Sequence, residues 1–255
     1  MINVFSIDFD FWVPEDPRWD FGHCEAPFFM EELWAIRLSQ CLAKGEDLRK
    51  LMRIADEHSS PRDFHKFIKE RCKIPKSCKV AIAESHSSAF YFLERQKDLH
   101  IINIDAHHDL GYNGSEEGDV DCGNWIAKLA QKGKVARVTQ VYPKWKKGKN
   151  MEADPSYVDI DLIIEYGLDK VPAVALSRIF LCRSGAWVPP WLDNDFYGLA
   201  ISLACLGNAT LYGFDGLNQL RRPTLDMAQI EREAAQFREM MLKMNMKPDI
   251  GVIET

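Results

Sequence analysis

Alternation of short apolar strands with helical stretches predicts an α/β fold, three layers deep (α/β/α), around a mainly parallel sheet. Two observations carry that expectation. Runs such as Lys79–Ala83 and Ile101–Ile104 are apolar along most of their length and are followed by helical patterns, as strands covered on both faces and joined by crossover helices require. Acids and histidines gather just after these runs, at the carboxyl ends of strands, where open α/β sheets place their sites. With 255 residues, 46% hydrophobic and 27% charged, the chain is long enough for one large core. No repeat, low-complexity stretch or linker divides it, so residues 1–255 read as a single domain.

In order, residues 4–12 form a first apolar strand carrying two acids spaced by two, Asp8 and Asp10. Pro14 and Pro17 end it, and residues 13–29 form a loop that contains His23. An apolar stripe of Leu33, Ile36, Leu38, Leu42, Leu48, Leu51 and Ile54 predicts a helix over 30–58. Ser60-Pro61 opens a second helix to about Cys72, since proline is tolerated in a first turn. Lys79–Ala83 is a buried strand that runs into Glu84-Ser85-His86, and a helix over 87–96 leads to a strand at 101–104. After a loop at 111–118, residues 121–125 open a helix to 131, and Val135–Tyr142 is the next strand. Residues 144–149 (Lys-Trp-Lys-Lys-Gly-Lys) read as a solvated basic loop. Strands follow at 157–164 and 171–181, then a rigid loop at 187–191, a helix at 195–206 and a short segment at 210–214. An amphipathic helix over 225–244 is expected to pack on the sheet, with packing on another subunit of a homo-oligomer as the alternative.

Composition excludes several classes. A formal net charge of −6 argues against broad nucleic-acid binding. No apolar run reaches the length of a membrane span, and the first residues lack a charged segment followed by an apolar one, so a cytoplasmic protein is expected. Seven scattered cysteines with no C-x-x-C pair read as reduced thiols.

The chemistry centres on Asp105, His107 and Asp109, three metal-ligand side chains in five residues after an apolar strand. Alternate residues of an extended backbone project to one side, so the three converge. Asp8, Asp10 and His86 end other strands, which makes four carboxylates and two imidazoles with no thiolate. That donor set suits manganese or a similar hard divalent ion. Six ligands are too many for one ion that keeps open positions, and fit two ions sharing carboxylates. Four carboxylates balance two divalent ions, a bridging hydroxide leaves one negative charge, and a guanidinium substrate would restore neutrality. Rival acid pairs are Asp159/Asp161, in an apolar strand, and Asp119/Asp121, which reads as the cap of the next helix.

Other residues are weighed individually. His108 points away from its neighbours and reads as structural support. Glu84 projects with His86, and either holds a guanidinium or supports a ligand by hydrogen bonding. Asn124 and Trp125 line a pocket or serve as helix cap and core. His23 is a candidate proton relay, and the loop at 183–191, with Ser184, a candidate rim.

These residues resemble a family. Asp105-Ala106-His107-His108-Asp109 is similar to the Asp-Ala-His-x-Asp signature of the arginase/ureohydrolase superfamily. Glu84-Ser85-His86-Ser87 resembles its upstream metal-histidine segment, and Ser6-Ile7-Asp8-Phe9-Asp10 its Asp-x-Asp strand. A closer resemblance is to an arginase-like subgroup that includes bacterial peptide arginases, which convert arginine to ornithine within ribosomally made peptides. It rests on Ile7-Asp8-Phe9-Asp10-Phe11-Trp12, Asn124-Trp125-Ile126, Tyr142-Pro143-Lys144-Trp145, and Arg183-Ser184 followed by Val188-Pro189.

The resemblance implies two Mn2+ ions bridged by Asp8 and Asp105, one also held by His86 and Asp109, the other by His107 and Asp10. It implies hydrolysis of a guanidinium to urea and an amine, and Asn124, Trp125 and Ser184 as candidates for substrate binding; Glu84 and His23, read from the residues alone, are the candidates for catalysis. It also implies a precursor-peptide substrate with a leader region. In ordinary arginases the Asp-x-Asp strand follows the Asp-Ala-His-x-Asp strand, whereas here it precedes it. A circular permutation would reconcile the orders, and the aromatic tail Phe11-Trp12 favours Asp8/Asp10 over Asp159/Asp161. Alternatives are an amidinohydrolase for free arginine, agmatine or another small guanidino compound, a single-zinc amide hydrolase, and a non-catalytic metal- or peptide-binding module.

Overall fold

The computed structural model describes residues 1–14, 27–55, 59–112, 118–148, 159–212, 222 and 224–244. Among these residues seven strands form one sheet: β1 (Ile2–Asp8), β2 (Lys79–Ala83), β3 (Leu99–Ile104), β4 (Val135–Tyr142), β5 (Asp161–Tyr166), β6 (Leu176–Cys182) and β7 (Asn208–Tyr212). Their order is β5-β4-β3-β1-β6-β2-β7, and every neighbouring pair is parallel. The helices are α1 (Pro27–Ala43), α2 (Leu48–Leu51), α3 (Phe64–Arg71), α4 (Ser88–Leu93), α5 (Trp125–Gln131), α6 (Asp193–Ala204) and α7 (Met227–Lys243).

The period-two pattern of the central strands builds one apolar layer on each face. Phe5, Ile7, Val80, Ile82, Ile102 and Ile104 meet Trp34 and Leu38 of α1, Phe64 and Ile68 of α3, and Phe196 and Leu199 of α6. Val4, Ala81, Ala83, Leu99 and Ile101 meet Phe90 and Leu93 of α4 and Trp125, Ile126 and Leu129 of α5. The expected α/β/α layering is therefore present. Among the described residues no helix is long and apolar enough to cross a membrane.

Several elements depart from expectation. The strand at 4–12 stops at Asp8, because the Asp8 carboxylate accepts the Asp10 N–H at 3.0 Å and turns Phe9–Trp12 into a 3-10 helix. The helix at 30–58 breaks after Ala43 at a turn with Gly45 at φ 88°, and Asp47 caps the short α2. The strand at 171–181 begins only at Leu176, after a 3-10 turn at Leu168–Lys170, and β5 is displaced to Asp161–Tyr166. The amphipathic α7 docks on α1, where Arg238 donates to the Ala43 carbonyl at 3.0 Å and the Leu42 carbonyl at 2.8 Å. Within the basic loop, Lys144–Lys146 forms a 3-10 turn and Lys146 is buried, its ammonium donating to the Ala106 carbonyl.

Candidate metal centre

A parallel sheet brings all its strand carboxyl ends to one edge, and the predicted ligands lie there. β1 ends at Asp8, the turn after β2 carries His86, and the segment after β3 carries Asp105, His107 and Asp109. β1 lies between β3 and β6 in the middle of the sheet, so its acids face the β3 ligands on one side and reach His86 across the end of β6. Two groups of side chains are spaced to hold a cation: Asp8, His86 and Asp105, and Asp10, Asp105 and His107. Asp105 belongs to both.

The distances are short. His86 Nδ1 lies 3.2 Å from Asp8, 3.2 Å from Asp105 and 2.9 Å from Asp109. Yet this buried nitrogen has no hydrogen-bond partner. A buried ring nitrogen within 3.2 Å of three carboxylates is placed as metal ligands are, so the donor set fits a metal. His107 Nδ1 lies 2.8 Å from Asp10 and 3.7 Å from Asp105. Asp8, Asp10, His86, Asp105 and Asp109 are all at most 3% exposed. His107, with its side chain 15% exposed, is the ligand nearest solvent, and Trp187 of the loop at 183–191 packs on it with ring centroids 4.7 Å apart.

Electrostatics follow from this crowding. Burial, joined by the Asp10 charge, raises the Asp8 carboxyl from 3.8 to about 6. Burial and the charges of Asp109, Asp10 and Asp8 hold Asp105 well above the carboxylate range. For His86 burial disfavours the cation, but Asp109, Asp105 and Asp8 outweigh it and raise the imidazole well above 6.5. Asp10 is also buried, but His107 and then Lys146 overcome that and lower it. Four carboxylates at such distances demand compensating positive charge.

This sets the pH dependence of the metal-free protein. Between 3.8 and about 6 the folded Asp8 keeps a proton that the unfolded chain has lost, so stability falls as pH rises. Asp105 and His86 act in the same direction at higher pH, whereas the contribution of the depressed Asp10 is already complete above 3.8. The thermal midpoint of chelated protein is expected to be lower at pH 8 than at pH 5, and Mn2+ to restore it at pH 8. A metal-free midpoint that climbs over this range would contradict the charge arrangement.

The supporting residues extend the sequence reading. Asp109 takes the left-handed conformation, φ 55°, uncommon for a residue with a Cβ. The start of α5 holds it: Trp125 Nε1 donates to Asp109 Oδ2 at 2.6 Å, and the Ile126 N–H to its carbonyl at 3.1 Å. Trp125 thus supports a ligand and packs beside His86, centroids 5.1 Å apart. Asn124 is buried and ties down the preceding loop, accepting from Asp121 N and donating to the Asp119 carbonyl, both at 2.8 Å. Ser184, also left-handed at φ 51°, donates to Asp8 Oδ2. His108 accepts the Leu110 N–H at 3.0 Å and stacks on Tyr112, the structural role expected of it.

Glu84 is held by Arg183, whose Nε donates at 2.8 Å and whose Nη2 donates to the same oxygen. Arg183 also reaches Asp193, which Arg222 grips in turn. A guanidinium from the chain itself is therefore paired with Glu84. Asp161 begins the edge strand β5, is half-exposed and pairs with Arg137 at 2.6 Å. Asp159 is exposed in the same region, so Asp8/Asp10 is the pair brought to the cluster. Asp121 accepts the Gly123 N–H at 2.9 Å and shapes the turn before α5. His23 lies outside the described residues.

Three supports escaped the sequence reading. Ser6 Oγ lies 2.6 Å from His86 Nε2. Asn103 Nδ2 donates to Asp105 Oδ2 at 3.2 Å, and Gln140 Nε2 to the His107 carbonyl at 2.9 Å. A signal existed: Ser6 and Asn103 are polar residues inside apolar strands, each two positions before a ligand and so on its face.

No family model, curated protein or solved structure matches this chain. The functional reading therefore rests on the residues and their geometry.

Proposed function

We propose that the protein is a dinuclear metallohydrolase that converts arginine side chains of a peptide to ornithine and releases urea. The observation that carries this reading is Asp105, shared by two groups of potential ligands. A side chain common to both groups suits a pair of ions: Asp105 and Asp8 would hold both, His86 and Asp109 one, and His107 and Asp10 the other. Oxygen-rich donors with two imidazoles and no thiolate favour Mn2+. Two ions, when bound, would supply activated water at neutral pH and stabilise charge in the transition state.

The chain's own residues do the rest. Burial of the cluster excludes bulk water from everything but the His107 side. The anionic ligand set favours a cationic guanidinium over a neutral amide. Water adds to the guanidinium carbon, the bond from that carbon to the side-chain nitrogen breaks, and urea leaves. The ornithine amine takes up the proton, relayed by an aspartate or histidine of the site. Among the described residues, Arg183 and Arg222 beside the site are committed to Glu84 and Asp193. Neither of these two is free to grip the α-carboxylate of free arginine, which favours a peptide over the free amino acid.

Metal analysis combined with a urea assay tests the proposal. Two equivalents of Mn2+ per chain and urea from an arginine-containing peptide, with a matching ornithine mass loss, are expected. Turnover of free arginine or agmatine alone would replace it with a small-molecule amidinohydrolase. Bound metal with no urea from either would make the chain a non-catalytic metal-binding module.

A further inference from the structure

Ser6 carries an inference that rests on the metal reading and deepens it. Its side chain is fully buried on β1, two residues before Asp8 and on the same face. Its hydroxyl lies 2.6 Å from His86 Nε2. On the other side of the imidazole, Nδ1 faces Asp8, Asp105 and Asp109. A neutral imidazole has one N–H, and to offer a lone pair from one nitrogen it must carry the proton on the other. The ring plane is itself fixed, stacked on Phe180 with centroids 5.6 Å apart and 3° between planes.

We propose that Ser6 is a positioning residue that commits His86 to bind metal through Nδ1. With an ion bound, the ring would carry its proton on Nε2 and donate it to Ser6 Oγ, which leaves the Nδ1 lone pair facing the carboxylates.

The choice of a hydroxyl over a carboxylate has a second consequence. Many metal-bound histidines give their outer N–H to an acid, which raises ligand basicity. Here four carboxylates already surround the ions, and a fifth negative charge behind His86 would add repulsion in a buried site. A neutral hydroxyl orients the ring without that charge.

The test is a Mn2+ titration of the chelated full chain by calorimetry, comparing the parent with Ser6→Ala and with Ser39→Ala. Ser39 is also buried but hydrogen-bonds the Ile36 carbonyl in α1, so it controls for general loosening. Removing the partner behind a ligand typically costs roughly 10–100-fold in metal affinity, and that loss is expected for Ser6→Ala alone. Nitrogen-15 NMR of the parent loaded with diamagnetic Zn2+ should place the His86 proton on Nε2. Ser6→Ala binding Mn2+ within twofold of the parent, or a loaded His86 protonated on Nδ1, would overturn the role of Ser6 while leaving the metal centre intact. A parent that binds neither Mn2+ nor Zn2+ would overturn the metal reading and this proposal together.

Discussion

Asp105→Asn is expected to abolish the metal centre as a whole. Asparagine matches aspartate in size but brings no charge and one fewer acceptor, and Asp105 is the side chain common to both ligand groups. The loss should exceed the roughly 10–100-fold typical of removing a partner behind a ligand, because a direct ligand to both ions is gone. Calorimetric Mn2+ binding should fall below detection, and urea release with it. Asp161→Asn is the matched comparison, since Asp161 sits at the opposite end of an edge strand and pairs with Arg137. It should keep full metal content. If Asp105→Asn retained two ions, or Asp161→Asn lost them, the assignment of the centre would fail.

Arg183→Met is expected to cost the fold about 3–5 kcal/mol, the range for removing one partner of a buried ion pair. Arg183 is only 2% exposed and lies between Glu84 and Asp193, and burial is the main force opposing its charge. Methionine fills much of the volume but leaves the Glu84 carboxylate without its guanidinium, while Asp193 keeps Arg222. The half-exposed Arg137–Asp161 pair is short as well, 2.6 Å, yet Arg137→Met should cost less than about 1 kcal/mol. Urea denaturation of the two variants would separate them. Equal small losses would show that the Arg183 ladder has no structural weight. Because Ser184 follows Arg183 and bonds Asp8, Arg183→Met should also weaken Mn2+ binding.

Much of this was legible from residues alone, for a physical reason. Parallel strands buried on both faces read as apolar runs, and β2 and β4 match their expected bounds. Ligands immediately after strands are carried by the alternation of the extended backbone, so Asp105, His107 and Asp109 were visible as a set. Less visible was whatever depends on contacts far apart in sequence. β2 stops at Ala83, before Glu84, and the pairing of Glu84 with Arg183, 99 residues on, has no local signature. The 3-10 turn after Asp8 hides behind strand-favouring aromatics, since Phe9 and Trp12 suit either a strand or a buried turn. The burial of Lys146 could not be read from a run of lysines, a pattern that ordinarily marks a solvated surface. Trp125 looked like a pocket or core residue, and only the fold reveals its indole on Asp109.

The place of β1 in the sheet has a consequence for how the chain comes together. Ile2 pairs with Leu99 on one side and Val4 with Arg178 on the other. At a synthesis rate of about 5–20 residues per second, β1 waits on the order of 5–20 s for its first partner and roughly twice as long for its second. Asp8 and His86 meet only across β6, so their half of the centre cannot exist until residues 176–182 have been made and inserted. An ion that needs both groups of ligands could therefore not seed the folding of this chain. It could be held in full only late, and the appearance of tight binding during refolding would time the closing of the sheet.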